Sequence, residues 1–281
     1  MRQRLARASK APAHFLLDRV AADFAERLSL VSRPFPRALD LGTPGPQIAE
    51  VLRSAPERLV IRAAPLRENA GPALSIVADE EALPFASGCF DLIVSVLSLQ
   101  WANDLPGALV QIRRALAPDG LFLAALVGGQ SLTELRTALT AAEAELTGGA
   151  SPRIAPFTDM RDLGGLLQRA GFALPVTDVE PILVRYASMF ALLRDVRAMG
   201  ATNALTERSR VPLRRAVFTR AAEIYADRFS DSDGRVRATF EIVWLSGWAP
   251  HESQQKPLAP GSARMRLADA LNASEERLPR D

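Results

Sequence analysis

Cysteine and histidine are almost absent from this chain of 281 residues, which has one cysteine, Cys89, and two histidines, His14 and His251. A single cysteine cannot form a disulfide, a cysteine-ligated zinc site or an iron–sulfur cluster within one chain, and it is typical of a reducing compartment. No histidine stands near Cys89 to activate its thiol, so we expect a structural cysteine. An iron site of two histidines and a carboxylate would need both histidines, and we expect no metal ion.

Lysine is scarce and long apolar runs are missing. Lys10 and Lys256 are the only lysines, and 34 basic against 32 acidic residues give a formal charge of +2. This balance does not indicate a nucleic-acid partner. No apolar run approaches the roughly 20 residues that a membrane-spanning helix needs, so we expect no transmembrane segment and a cytoplasmic protein. Residues 1–14 are rich in arginine and are expected to form a flexible basic tail.

Short apolar runs alternate with helical patterns in the first half of the chain. Apolar residues at helical spacing predict a helix from Phe15 to Leu30. Strands are then expected at residues 38–41, 59–63, 74–78, 90–95 and 121–127, with helices from Gln47 and over residues 105–116. Strands that alternate with helices are typical of an α/β fold with a doubly wound, mostly parallel sheet.

The second half of the chain is mainly helical. Helices are expected over residues 132–146, 159–170, 187–199 and 213–228, and extended segments over 176–186 and 239–248. We therefore expect a ligand-binding core over residues 15–130, with the N-terminal helix, followed by a helical cap and the last sheet strands over 131–250. Residues 251–281, rich in Gln, Pro and Arg, are expected to form a C-terminal tail.

The turn after the first strand is the first candidate for ligand binding. Asp40 and Gly42 lie where a strand runs into a helix, which is how an open α/β sheet holds a nucleotide-type ligand. Pro44 and Pro46 follow, and proline removes an N–H donor; Gly45 could restore flexibility one position along. A plain β-to-α turn, in which Asp40 only caps the helix, is the alternative.

Four segments of the chain, in this order, resemble the class I methyltransferases that use S-adenosylmethionine, which have a Rossmann-like fold. They are Leu-Asp-Leu-Gly at 39–42, Val-Ala-Asp-Glu-Glu-Ala-Leu-Pro-Phe at 77–85, Phe-Asp-Leu-Ile-Val-Ser at 90–95 and Leu-Ala-Pro-Asp-Gly-Leu-Phe at 116–122. More narrowly, the chain resembles the subgroup of the mitochondrial complex I assembly factor. The segments that carry this resemblance are 97–106, 151–154, 169–172, 199–203 and 247–254.

The resemblance implies a function. The mitochondrial member of the subgroup binds S-adenosylmethionine and hydroxylates an arginine of a complex I subunit during assembly. The implied cofactor is S-adenosylmethionine, and the implied partner is a subunit of NADH dehydrogenase (complex I), met at the membrane periphery. Two alternatives stay open. One is a scaffold without cofactor, which the prolines favour; the other is a small-molecule carboxyl methyltransferase of the biotin-pathway type, against which the segment 247–254 argues.

The resemblance also implies site residues, although no catalytic residue. Asp79 corresponds to the acid that accepts a hydrogen bond from the adenine amino group, and Ser95 and Leu97 to the strand end that lines the reacting centre. The implied cofactor-binding residues are Asp40, Gly42, Gly45, Asp79, Glu80, Ser95 and Leu97, and the candidate substrate contacts are Trp101, His251 and Glu252. The family pattern has glycines at positions 44 and 46 and an acid near Ala64, so the glycines and the ribose-binding acid are missing.

Overall fold

The computed structural model describes residues 13–66, 74–154, 160–203, 205, 208, 209 and 211–255. Most of the two expected tails, residues 1–12 and 256–281, lies outside the described residues. The chain divides into two compact units, Met1–Pro250 and His251–Asp281, and the sheet and its helices belong to the first. No helix in the described parts of the chain is long and apolar enough to cross a bilayer.

The described residues form one sheet of seven strands. The strands are β1 Arg37–Leu41, β2 Leu59–Ala64, β3 Ser75–Val77, β4 Phe90–Val96, β5 Leu116–Val127, β6 Ala173–Tyr186 and β7 Val236–Trp248. Their order across the sheet is β3-β2-β1-β4-β5-β7-β6. The pairs from β3 to β5 are parallel, and β7 runs antiparallel to both of its neighbours. The expected doubly wound, mostly parallel α/β sheet is confirmed.

Helices cover both faces of the sheet. They are α1 Phe15–Ser29, α2 Gln47–Arg53, α3 Leu105–Ala115, α4 Thr133–Thr147, α5 Met160–Arg169, α6 Met189–Ala198 and α7 Arg215–Phe229. Successive strand residues face opposite layers, so Val94 packs with α1, α2, α4, α6 and α7, whereas Ile93 packs with α3 and α5. Each face thus has its own apolar core.

Three strands, β5, β6 and β7, start at least three residues earlier than expected. The segment at Pro118 was expected to be a turn before a strand, but β5 begins at Leu116 and contains it as an irregularity between the pairs Phe90↔Leu116 and Leu92↔Leu121. Hydrogen bonds from Asp119 N to Ala249 O and back from Ala249 N to Gly120 O hold it in the sheet. Likewise β7 starts three residues before position 239, because it pairs with the whole length of β6.

The order of the strands indicates where a ligand would bind. Since β2 and β3 lie on one side of β1 and β4 and β5 on the other, the chain reverses direction across the sheet beside β1. Open α/β sheets bind ligands outside the carboxyl ends of the strands at this point. The segments after β1, β2, β3 and β4 therefore meet at one edge, with Gly42 N bonded to Ala63 O at 2.7 Å and Ala78 N to Ala64 O at 3.1 Å.

Candidate functional site

A cavity of 490 Å³ opens at the carboxyl ends of β1, β2 and β4. Helices α1, α4, α6 and α7 supply apolar side chains to it, among them Leu17, Leu135, Val196 and Phe218. Its charged or titratable lining consists of His14, Arg62, Arg153 and Arg197, and the described lining contains no aspartate or glutamate. The cavity thus combines an apolar body with basic groups.

Gly42 forms the floor of the crevice at the end of β1. Its φ of +75° lies in the left-handed region that favours glycine. A Cβ built on Gly42 would collide with Oε1 of Glu80 and with Oγ of Ser98. Position 42 therefore requires glycine for two reasons, its left-handed backbone conformation and the close approach of two polar side chains.

Replacing Gly42 with alanine tests this double requirement. We expect Gly42→Ala to lower the free energy of unfolding by more than the about 1–2 kcal/mol that a left-handed L-residue costs, because the methyl group must also displace Glu80 or Ser98. Gly148→Ala is the matched control, since Gly148 has φ +76° and an open Cβ position. Urea unfolding of both variants measures the difference; equal losses would show that the crevice has room for a side chain.

Glu80 and Ser98 meet above Gly42. Ser98, which follows β4, donates a hydrogen bond from Oγ to Oε1 of Glu80 at 2.6 Å. Glu80 follows β3, so this contact spans the ends of four neighbouring strands. Within the described residues, Oε2 of Glu80 makes no hydrogen bond or ion pair. The carboxylate of Glu80 thus lies beside Gly42 and Ser98, which both line the cavity, although Glu80 itself is not among the lining residues.

Asp40 and Arg62 form a buried ion pair beneath the same turn. Asp40 is fully buried and Arg62 is 5% exposed, with 3.3 Å between Arg62 Nε and Asp40 Oδ2. Arg62 also donates hydrogen bonds to the carbonyl oxygens of Thr43, at 2.6 Å, and Gly45. Burial raises the pKa of Asp40 to about 6, although the Arg62 guanidinium acts to lower it. Burial also lowers the pKa of Arg62.

The turn from Thr43 to Pro46 is held from inside the protein. Pro46 is the residue that caps α2, and no side-chain hydrogen bond caps this helix. Gly45 does not have a positive φ, so it does not move the flexible position along the turn. A Cβ on Gly45 would instead collide with Oε1 of Gln47 and lie 2.8 Å from Cδ2 of Leu17. Gly45 is required for close packing against the side chains of Gln47 and Leu17, and it still lines the cavity.

The other predicted cofactor residues have different surroundings. Asp79 follows β3, is exposed, and accepts a hydrogen bond at Oδ1 from Glu81 N at 3.1 Å. Leu97 lines the cavity with a left-handed φ of 53°. Ser95, in contrast, is fully buried within β4 and is not among the cavity-lining residues. The structure therefore brings Gly42, Gly45 and Leu97 to the cavity. Glu80 is not among the lining residues, but it contacts Gly42 and Ser98, which are.

The candidate substrate residues fall into two groups. Trp101 ends the 3-10 turn Leu99–Trp101 and lines the cavity. His251 and Glu252 belong to the second compact unit, where Nδ1 of His251 lies 2.7 Å from Oγ of Ser253. Their role in substrate binding stays a prediction. His14, expected in the flexible tail, instead directly precedes α1 and lines the cavity.

Two site residues, Arg62 and Ser98, were missed by the sequence analysis. Arg62 interrupts an otherwise apolar strand pattern, and a charged residue inside such a strand is a signal of a buried partner. Ser98 is a polar residue between Leu97 and Leu99, inside the segment that carried the family resemblance. Neither signal identifies the partner, because Asp40 and Glu80 are brought to them by the fold.

Comparisons with known proteins agree with the fold and specify its relatives. A methyltransferase-domain family model matches residues 47–124. The mitochondrial arginine-hydroxylase NDUFAF5 of Danio rerio is 44% identical over 262 residues, 91% of this chain and 81% of the relative. A malonyl-[acyl-carrier protein] O-methyltransferase of Laribacter hongkongensis is 35% identical over 88% of this chain and 87% of its own length. The structure of YcgJ from Bacillus subtilis superposes with a TM-score of 0.54 at 14% identity, covering 82% of this chain and 98% of YcgJ, which supports the fold alone.

Proposed function

The chain belongs to the family of the NDUFAF5 arginine-hydroxylases, and from this premise we propose that it is an enzyme that modifies an arginine side chain of a protein substrate. The observation that carries the proposal is 44% identity along 91% of the chain. The family resemblance favours a subunit of NADH dehydrogenase as the substrate, modified during assembly of respiratory complex I. We further propose that the protein meets this complex from the cytoplasm, in line with its single cysteine.

S-adenosylmethionine is the cofactor that we propose for the crevice. Three features fit it: the cradle over Gly42 that a Cβ would fill, the carboxylate of Glu80 above it, and Asp79 at the end of β3. When bound, this cofactor supplies an activated methyl group. Asp40 and Arg62 would hold the turn in place beneath it, because Arg62 fixes two carbonyl groups of the turn.

The walls of the cavity would position the substrate side chain. Leu97 and Trp101 follow β4, and both line the cavity near Gly42. Apolar side chains from α1, α4, α6 and α7 form much of the remaining wall. Where a bound substrate displaces water from such a wall, electrostatic interactions become stronger.

A second candidate function is methylation of a carboxylate substrate. The specific observation in its favour is the basic lining, with three arginines and no acidic residue among the described lining residues. Two of these arginines are already paired with carboxylates, Arg62 with Asp40 and Arg153 with Glu143. A carboxylate-bearing substrate would therefore depend mainly on Arg197 and His14. A relative named for malonyl-[acyl-carrier protein] O-methylation is 35% identical.

Mass spectrometry of NADH dehydrogenase separates the two candidates. The complex is purified from the source organism, from a deletion strain, and from the deletion strain that carries the gene. We expect one arginine to be modified in the first and third samples and unmodified in the second, and the mass difference distinguishes a hydroxyl from a methyl group. Identical arginine masses in all three samples would contradict the proposed substrate, and methylation of a small acid by the purified protein would favour the second candidate.

A further inference from the structure

In nucleotide-binding sheets of this kind an acid at the end of β2 holds the ribose hydroxyls, and the described residues of this segment, 59–66, contain none; the next carboxylate along the chain, Glu68, lies outside the described residues. Ala64 ends β2 with 1% exposure, and Pro65 follows it. The one charged side chain of β2, Arg62, is positively charged and engaged with Asp40 and the turn. Among the described residues, a carboxylate for a ribose is therefore to be sought after another strand whose carboxyl end lies beside that of β2.

We propose that Glu80 supplies this carboxylate and holds the ribose hydroxyls of the bound cofactor. The inference rests on the cofactor part of the proposed function and assigns a role to a residue at the end of β3, one strand beyond β2. The carboxylate of Glu80 does not stay above its own strand. It reaches across β2 to the end of β1, where its Oε1 lies against Gly42.

Glu80 already accepts a hydrogen bond from a hydroxyl group, which is the kind of donor that a ribose offers. An ionised carboxylate only accepts hydrogen bonds, and its two oxygens can each take a hydroxyl donor. Oε1 already accepts a hydroxyl bond from Ser98 at 2.6 Å, and Oε2 makes no hydrogen bond or ion pair within the described residues. The vicinal hydroxyls of a ribose could bond to both oxygens, with the Ser98 hydroxyl giving up or sharing its place.

The hydrogen bond between Glu80 and Ser98 also fits the opposite interpretation, in which Glu80 opposes cofactor binding. If the Glu80–Ser98 pair only filled the crevice, the carboxylate would compete with the cofactor, and its removal would strengthen binding. If Glu80 is a ligand for the ribose, its removal weakens binding, and the loss depends on the ribose hydroxyls. Whether replacing Glu80 weakens or strengthens cofactor binding therefore distinguishes a residue that binds the ribose from one that only fills the crevice.

Calorimetric titration of S-adenosylhomocysteine and its 2′-deoxy analogue into the full chain tests the proposal. Glu80→Gln is compared with Glu81→Gln, a matched control at the neighbouring position. Glu81 accepts hydrogen bonds from the backbone N–H groups of Asn103 and Asp104, outside the crevice. Ser98→Ala removes the competing hydroxyl. Circular dichroism and thermal unfolding verify that each variant is folded.

We expect Glu80→Gln to weaken binding of S-adenosylhomocysteine at least tenfold, and Glu81→Gln to change it less than twofold. The parent should prefer the ribose compound over its 2′-deoxy analogue, and Glu80→Gln should lose most of that preference. Ser98→Ala should bind as tightly as the parent or more tightly. Unchanged or tighter binding in Glu80→Gln, an unchanged preference for the ribose compound, or no binding to the parent would each overturn the proposal. These binding results are independent of the mass spectrometry of NADH dehydrogenase, which tests the proposed substrate separately.

Discussion

Replacing Arg62 with methionine is expected to lower the free energy of unfolding by about 3–5 kcal/mol at pH 8, the usual result of removing one partner of a buried ion pair. Asp40 would remain fully buried without its cation. The carbonyl oxygens of Thr43 and Gly45 would also lose their donor. Methionine keeps a similar volume, so the loss reports charge and hydrogen bonding rather than a cavity.

The loss from Arg62→Met should depend on pH. The pKa of Asp40 is about 6 in the folded protein against 3.8 ordinarily, so the folded state favours the protonated carboxyl. The stability that this preference contributes is complete below the ordinary pKa of Asp40, 3.8, and is lost as the pH rises through its pKa in the folded protein, about 6. Without Arg62 the folded pKa rises further, because the cation no longer lowers it. The destabilisation should therefore be largest at pH 8 and smaller at pH 5.

Urea unfolding at pH 5 and pH 8 measures this difference. Arg58→Met is the control, because Arg58 donates to the carbonyl oxygens of Phe35 and Leu52 and forms no ion pair among the described residues. Its loss should be similar at both pH values. Adding Asp40→Asn to Arg62→Met should restore part of the stability at pH 8. A loss from Arg62→Met that is the same at both pH values would show that Asp40 is not the residue that the arginine neutralises.

Replacing both Pro44 and Pro46 with glycine is expected to strengthen binding of S-adenosylmethionine at least tenfold. The change restores two N–H groups in the turn between β1 and α2, next to the N-terminus of a helix, where anionic groups bind. A hydrogen bond to a charged group contributes about 1.5–3 kcal/mol, which exceeds a tenfold change in affinity. The more flexible unfolded chain should cost about 0.4–1 kcal/mol of stability for each proline replaced.

The pair Pro34 and Pro36 provides the control for this variant. It has the same spacing as Pro44 and Pro46 and precedes β1, away from the crevice. Pro34→Gly with Pro36→Gly should lower stability by a similar amount and leave cofactor affinity unchanged. Calorimetry measures the affinities and urea unfolding the stabilities. If the Pro44 and Pro46 variant binds no more tightly than the parent, the turn is not limited by missing N–H groups.

The fold was predictable from the sequence because its signals are local. The run from Phe90 to Val96 is apolar except for Asp91 and Ser95, as expected of a parallel strand buried on both faces. The predicted start of β5 was wrong because the true start depends on a residue far away in the sequence. Asp119 has a left-handed φ of 63°, yet its hydrogen bond to Ala249 keeps the segment in the sheet. Element types follow from periodicity, whereas element ends depend on strand pairing.

The candidate site was predictable only where the chain itself marks it. Gly42 follows a buried strand and precedes a helix, so its position could be inferred from neighbours in sequence. The contacts of Glu80 with Ser98 and of Arg62 with Asp40 join residues 18 and 22 positions apart, the first pair in segments that follow different strands and the second pair on two strands. No periodicity encodes such pairs. Ser95, matched to the reacting centre by resemblance, lies fully buried inside β4.

Titration of S-adenosylhomocysteine and S-adenosylmethionine into the unaltered chain tests the central claim most directly, namely that the turn between β1 and α2 still binds the cofactor of its fold. We expect one site with micromolar affinity, together with a rise in thermal stability, since a ligand at about 100 times its Kd adds about 2.7 kcal/mol to the free energy of unfolding. No heat and no stabilisation up to millimolar concentration would contradict the claim. The chain would then be a scaffold that keeps the methyltransferase fold and has lost its cofactor.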